Sequence, residues 1–136
     1  MNVTVLDHPL INHYMTIIRN KNTSSSEFKS LAKKVSVLMG FEVFKELLVN
    51  NHKIETPIEN YRGIKINEPY PCLVSILRAG SIIVDGLSEI FPYCSTGYIG
   101  IFRDEKSLKP QTYFEKFPKN ISCLLYTSDA ADDNVG

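Results

Sequence analysis

Cys72-Leu73-Val74-Ser75-Ile76-Leu77-Arg78-Ala79-Gly80-Ser81-Ile82-Ile83-Val84-Asp85-Gly86 is the stretch that decides the fold. Its first six residues are a short apolar run bounded by Pro71 and, beyond Arg78, by Gly80. Such a run reads as a buried strand of a parallel sheet. A second apolar segment follows at once and reads as the crossover helix. Arg78 therefore stands at the carboxyl end of a strand, where open α/β folds bind their ligands. Gly80 and the helix start beside it offer backbone N–H groups to an anion. These features predict a phosphate or pyrophosphate site. The competing reading of Arg78 is an ion pair with Asp85 or Glu89 that merely holds the turn.

On the amino-terminal side, Leu10, Tyr14, Ile17 and Ile18 share one helical face, which predicts a helix over 9–19. Ser24 and Glu27 have the spacing of a capping box. Behind them Phe28, Leu31, Ala32, Val35, Leu38, Met39, Val43 and Leu47 repeat with helical period, predicting one helix from 25 to 48 that Gly40 weakens. Residues 50–71 carry three prolines, and Lys53–Thr56 with Gly63–Ile66 predicts a short exposed hairpin. After the strand at 72–77, a helix is expected over 81–91 with Ile83, Leu87 and Ile90 facing inward. A second strand over 96–103 ends in Arg103, a polar turn spans 104–110, and 112–117 returns as an extended arm. A right-handed crossover puts Arg103 on the same sheet edge as Arg78. Paired arginines at neighbouring strand ends clamp an anion better than either alone. Arg103 could instead form an exposed ion pair with Asp104 or Glu105.

The 136 residues suffice for one domain with a core, and 43% hydrophobic with 22% charged residues is ordinary for a globular protein. Residues 123–136 hold three acids and no base, leaving 15 bases against 12 acids, a net +3, in residues 1–122. So small an excess gives no reason to expect nucleic acid or a membrane as partner. The start lacks a basic and then apolar leader, and no apolar run reaches bilayer length. Cys72, Cys94 and Cys123 lack paired spacing and read as reduced thiols of a cytoplasmic protein, neither disulfides nor a zinc site. His8, His13 and His52 read as surface or capping residues, and Asp85 as a backbone-orienting group rather than a metal ligand.

Four pieces in order carry a resemblance: His8-Pro9-Leu10 with His13 and Arg19; Ile76-Leu77-Arg78-Ala79-Gly80 with Val84-Asp85-Gly86; Tyr98-Ile99-Gly100-Ile101-Phe102-Arg103-Asp104; and Leu108-Lys109-Pro110 with Tyr113-Phe114. Over residues 7–122 the chain resembles uracil phosphoribosyltransferase. The resemblance implies an α/β fold: an incomplete phosphoribosyltransferase-like parallel sheet with flanking helices, an amino-terminal helical segment and a protruding β-arm. It implies that phosphoribosyl pyrophosphate and uracil are the substrates, giving UMP and pyrophosphate without a catalytic nucleophile. Arg78 and Arg103 match arginines that contact phosphoribosyl pyrophosphate, and magnesium (Mg2+) would arrive with that substrate. The family further implies a homo-oligomer at full length, subunit contacts through the Tyr113-Phe114 arm, and in some members a GTP effector.

The family also uses an acidic loop ending in Ala-Thr-Gly-Gly-Ser for the 5′-phosphate, and a later segment for uracil. Neither occurs in this sequence, where Cys123-Leu124-Leu125-Tyr126-Thr127-Ser128-Asp129-Ala130-Ala131-Asp132-Asp133 stands instead. That string looks like a translated transposase adapter from DNA library preparation. Residues 1–122 are thus read as the amino-terminal part of a phosphoribosyltransferase domain and 123–136 as a non-family, artefactual tail; an unusual natural carboxyl terminus is the alternative. The chain alone is expected not to turn over substrate. Two rival readings are a non-catalytic, phosphoribosyltransferase-like regulator binding nucleotide or RNA, and a structural partner subunit docking through its long helix and arm. The first lacks a basic stripe with interleaved aromatics.

Overall fold

The computed structural model describes residues 3–118 and 124–127, the latter by backbone. Helix α1 (Pro9–Arg19) is capped by His8, whose Nδ1 accepts from Leu10 N–H at 3.1 Å. Helix α2 (Ser25–Val43) is capped by Ser24, whose hydroxyl accepts from Glu27 N–H at 3.2 Å. Both helices start at the expected residues, α2 on its capping signal.

The end of α2 departs from the expected residue 48. The helix stops at Val43, tightens into a 3₁₀ turn over Phe44–Glu46, and becomes extended at Leu47. Phe44 packs edge-on against Phe91 at 5.5 Å and joins the core. A tertiary contact thus ends the helix that Leu47's periodicity would have continued. Phe28, Met39 and Val43 on the apolar stripe each remain 40% exposed, because only Leu31, Val35, Ser36 and Gly40 are buried.

Strands β1 (Val49–Glu55) and β2 (Asn60–Ile66) form the hairpin, longer than expected, with Val49 opposite Ile66 and Glu55 opposite Asn60. It is a two-stranded sheet of its own. Strand β3 (Cys72–Leu77) lies where predicted, followed by α3 (Gly80–Ile90). Strand β4 (Ser95–Arg103) runs parallel to β3, and β5 (Pro110–Lys116) returns antiparallel along β4. Strand β6 (Leu124–Thr127) runs parallel on the other side of β3, giving the order β5-β4-β3-β6. The rest of the 123–136 tail, Cys123 included, lies outside the described residues.

Being flanked on both sides explains why β3 needs a continuous apolar sequence: Leu73 and Val74 are fully buried. Leu73 meets Val84 and Leu87 of α3, with Phe44, Ile83 and Cys94 around them. Leu87 faces inward as expected and Ile83 packs on the core, while Val84 takes the inward position assigned to Ile90. Ile90 leans instead toward Gly40 of α2. The layers are therefore sheet, α3, α2, α1, each packed on the next.

Candidate functional site: the carboxyl rim of β3 and β4

Leu77, the last residue of β3, sits level with Gly100 of β4. Arg78 follows Leu77 directly, and β4 continues from Gly100 to its end at Arg103. Both arginines are exposed and stand at the carboxyl ends of adjacent parallel strands. Neighbouring strands lie about 4.8 Å apart, and Arg103 is about two residues, ~7 Å, further along. These backbone separations suit a pair of phosphoryl groups.

The turn between β3 and α3 is tightly tied. The Leu77–Arg78 peptide is cis. Ser81 donates to the Arg78 carbonyl twice, from its hydroxyl at 2.6 Å and its N–H at 3.1 Å. Helix α3 starts at Gly80 with Ala79 as a helical cap residue and no side-chain cap. The helix start lies at the same rim as Arg78, with the Ser81 and Ile82 N–H groups donating back to the Arg78 and Ala79 carbonyls.

The β4–β5 turn supplies the rest of the rim. Asp104 Oδ1 accepts from Lys106 N–H at 2.8 Å and Ser107 N–H at 3.3 Å, and Oδ2 accepts from Gln111 Nε2 at 3.1 Å. Lys106 and Lys109 on this turn are exposed. Beyond the turn a β-bulge at Tyr113 lays its ring over Gly100, where a β-carbon would come within 2.5 Å of that ring. A β-carbon there would need the exposed end of that ring to shift.

The other candidates lie elsewhere. His8 is the α1 cap, His13 stacks obliquely on Tyr14 at 5.9 Å, and His52 is on the exposed hairpin. Asp85 is exposed on α3, where its charge adds to the larger effect of Glu89 in raising the Lys33 pKa. The ion pairs between described residues are Lys33–Glu89 and Lys45–Glu42, so Arg78 pairs with neither Asp85 nor Glu89. Sequence reading missed Ser81 and the Asp104–Gln111 network. An Asp opening a polar turn is the signal that could have found the latter. A groove of about 430 Å³ opens on the helical side among Leu10, Tyr14, Lys34 and Val37. It reaches Glu89, roughly 14 Å along the α3 axis from the rim, and shares none of the rim residues. Among the described residues no three His, Cys, Asp or Glu side chains converge to hold a metal ion.

A family model described as uracil phosphoribosyltransferase matches residues 5–127. The uracil phosphoribosyltransferase of Pediococcus pentosaceus is 44% identical over 118 residues, 87% of this chain and 56% of that protein. That of Alkaliphilus oremlandii is 41% identical over 119 residues, 88% of this chain and 57% of that protein. A solved protein structure from Aquifex aeolicus superposes with a TM-score of 0.82 at 28% identity, covering 91% of this chain and 60% of that one. The chain thus spans a little over half the length of these curated relatives.

Proposed function

Since the chain belongs to the uracil phosphoribosyltransferase family, we propose that its β3–β4 rim binds the diphosphate of phosphoribosyl pyrophosphate in a full-length enzyme that makes UMP from uracil. In that reaction the ribose C1′–oxygen bond to pyrophosphate breaks, a bond from C1′ to uracil N1 forms, and the N1 proton is released. Negative charge accumulates on the departing pyrophosphate. On this reading Arg78 and Arg103 neutralise it, which their positions at the ends of adjacent parallel strands support. Magnesium, when present on the diphosphate, would neutralise further charge. The described residues form no cluster to hold the ion themselves, so no step is assigned to a protein-bound metal.

The observation that carries the reading is the placement of two guanidinium-bearing residues at adjacent parallel strand ends beside the start of α3. No Thr-Gly-Gly phosphate loop occurs in these 136 residues, so we propose that this chain binds but does not turn over. A cytoplasmic setting suits the free thiol of Cys72, and no described helix is long and apolar enough to cross a membrane. Oligomerisation and a GTP effector are proposals that rest on the resemblance alone.

Calorimetric titration of the chain with phosphoribosyl pyrophosphate is the direct test. Arg78→Ala and Arg103→Ala are each expected to weaken binding by about tenfold or more, the worth of a charge-assisted contact, with no UMP formed on adding uracil. Unchanged affinity in both variants would refute the rim as the diphosphate site.

A further inference from the structure

We infer that Asp104 is a positioning residue of this anion-binding rim, fixing the turn that carries Lys106 and Lys109; the inference rests on the reading of the rim given above. Asp104 is the first residue after β4. Its carboxylate accepts from the Lys106 and Ser107 N–H groups and from Gln111 Nε2. Its own N–H donates to the Lys109 carbonyl at 3.0 Å, and its carbonyl accepts from Leu108 N–H at 2.8 Å. Five hydrogen bonds therefore converge on one half-buried residue, while 105–111 are all exposed. The turn also holds Leu108 in the left-handed region at φ 58°, a conformation a leucine adopts only under such constraint.

The electrostatics make this assignment specific. A carboxylate beside an anion site repels the anion, so on charge alone Asp104 should oppose binding. Its oxygens are spent on backbone amides and on Gln111, and that fixes the turn carrying Lys106 and Lys109 before any ligand arrives. The positioning role and a bare charge role thus predict opposite effects of truncation. Removing a charge that only repels tightens binding. Removing an anchor loosens it.

Inorganic pyrophosphate titrated into the 136-residue chain by calorimetry separates these cases. Asp104→Ala is expected to weaken binding about tenfold while the melting temperature of the sheet stays within a few degrees. Asp104→Asn keeps an acceptor for the two amides and sheds the charge, so it should restore wild-type affinity or better. Gln111→Ala removes one anchor and should cost two- to threefold. Arg103→Ala weakening pyrophosphate while Asp104→Ala matches or exceeds wild type would overturn the positioning role and leave the rim standing. A wild-type chain that takes up no pyrophosphate would overturn both.

Discussion

At the scale of single residues, the polar side chains that matter are those whose hydrogen bonds are either complete or missing. Asp104 is complete. Ser75 is the opposite case: it is fully buried in β3, and its hydroxyl finds no hydrogen-bond partner among the described residues. It falls on the face that carries Leu73, under α3, by the alternation of a strand. A buried orphan hydroxyl carries a desolvation cost with no return. Ser75→Ala should therefore be neutral or stabilising, by up to about 1 kcal/mol, in urea denaturation. A loss of that size would mean that the hydroxyl has a partner worth keeping.

At the scale of elements, the contact between α2 and α3 depends on two glycines used differently. A β-carbon on Gly86 would lie 2.8 Å from the Lys33 carbonyl oxygen and 2.7 Å from Ser36 Cβ, both fixed by α2. One on Gly40 would meet only the side-chain ends of Leu87 and Ile90. Alanine gains about 1 kcal/mol of helix propensity at either place, while overpacking costs about 1–3 kcal/mol where nothing can yield. Gly86→Ala should lower stability by up to roughly 2 kcal/mol on that balance, and Gly40→Ala much less. Equal effects in thermal melts would contradict this account of the packing. The same interface carries Lys33 Nζ–Glu89 Oε1 at 2.8 Å. The hydrogen bond and then the charge of Glu89 raise the Lys33 pKa above its ordinary 10.5. A raised lysine contributes stability fully below 10.5 and loses it as pH climbs through the higher folded value. The urea midpoint of wild type should exceed that of Glu89→Gln at pH 8, and the gap should close as pH rises through the raised Lys33 value. A gap that persists at high pH would show that packing, not the ion pair, separates the two proteins.

For the molecule as a whole, stability should grade outward from β3. That strand is hydrogen-bonded on both sides and buried, whereas the β1–β2 hairpin is exposed at every position except Gly63 and Ile66. Local opening costs little where few apolar contacts must break. Hydrogen exchange should therefore be slowest in β3, faster in β4, and fastest in the hairpin. A hairpin as protected as β3 would reveal a covering surface. Chain connectivity sets the functional end in the same way. With β3 and β4 parallel, both arginine-bearing ends must emerge on one rim, whatever the side chains prefer.

The local signals were readable directly: Ser24 starts α2, the run 72–77 makes the buried strand, and Arg78 ends it beside a helix start. Each needs only neighbours within a turn or a strand, so the amino-acid order determines it. The residues matching the family's motifs identified the family from the same order. The early end of α2 at Val43, the fit of Gly86 against the Lys33 carbonyl, the place of β6 beside β3, and the anchoring of the 104–111 turn were decided by the tertiary structure. The physical reason is range. Periodicity and capping act within a few residues, whereas a clash, a core contact or a strand order depends on segments that meet only once the chain has folded.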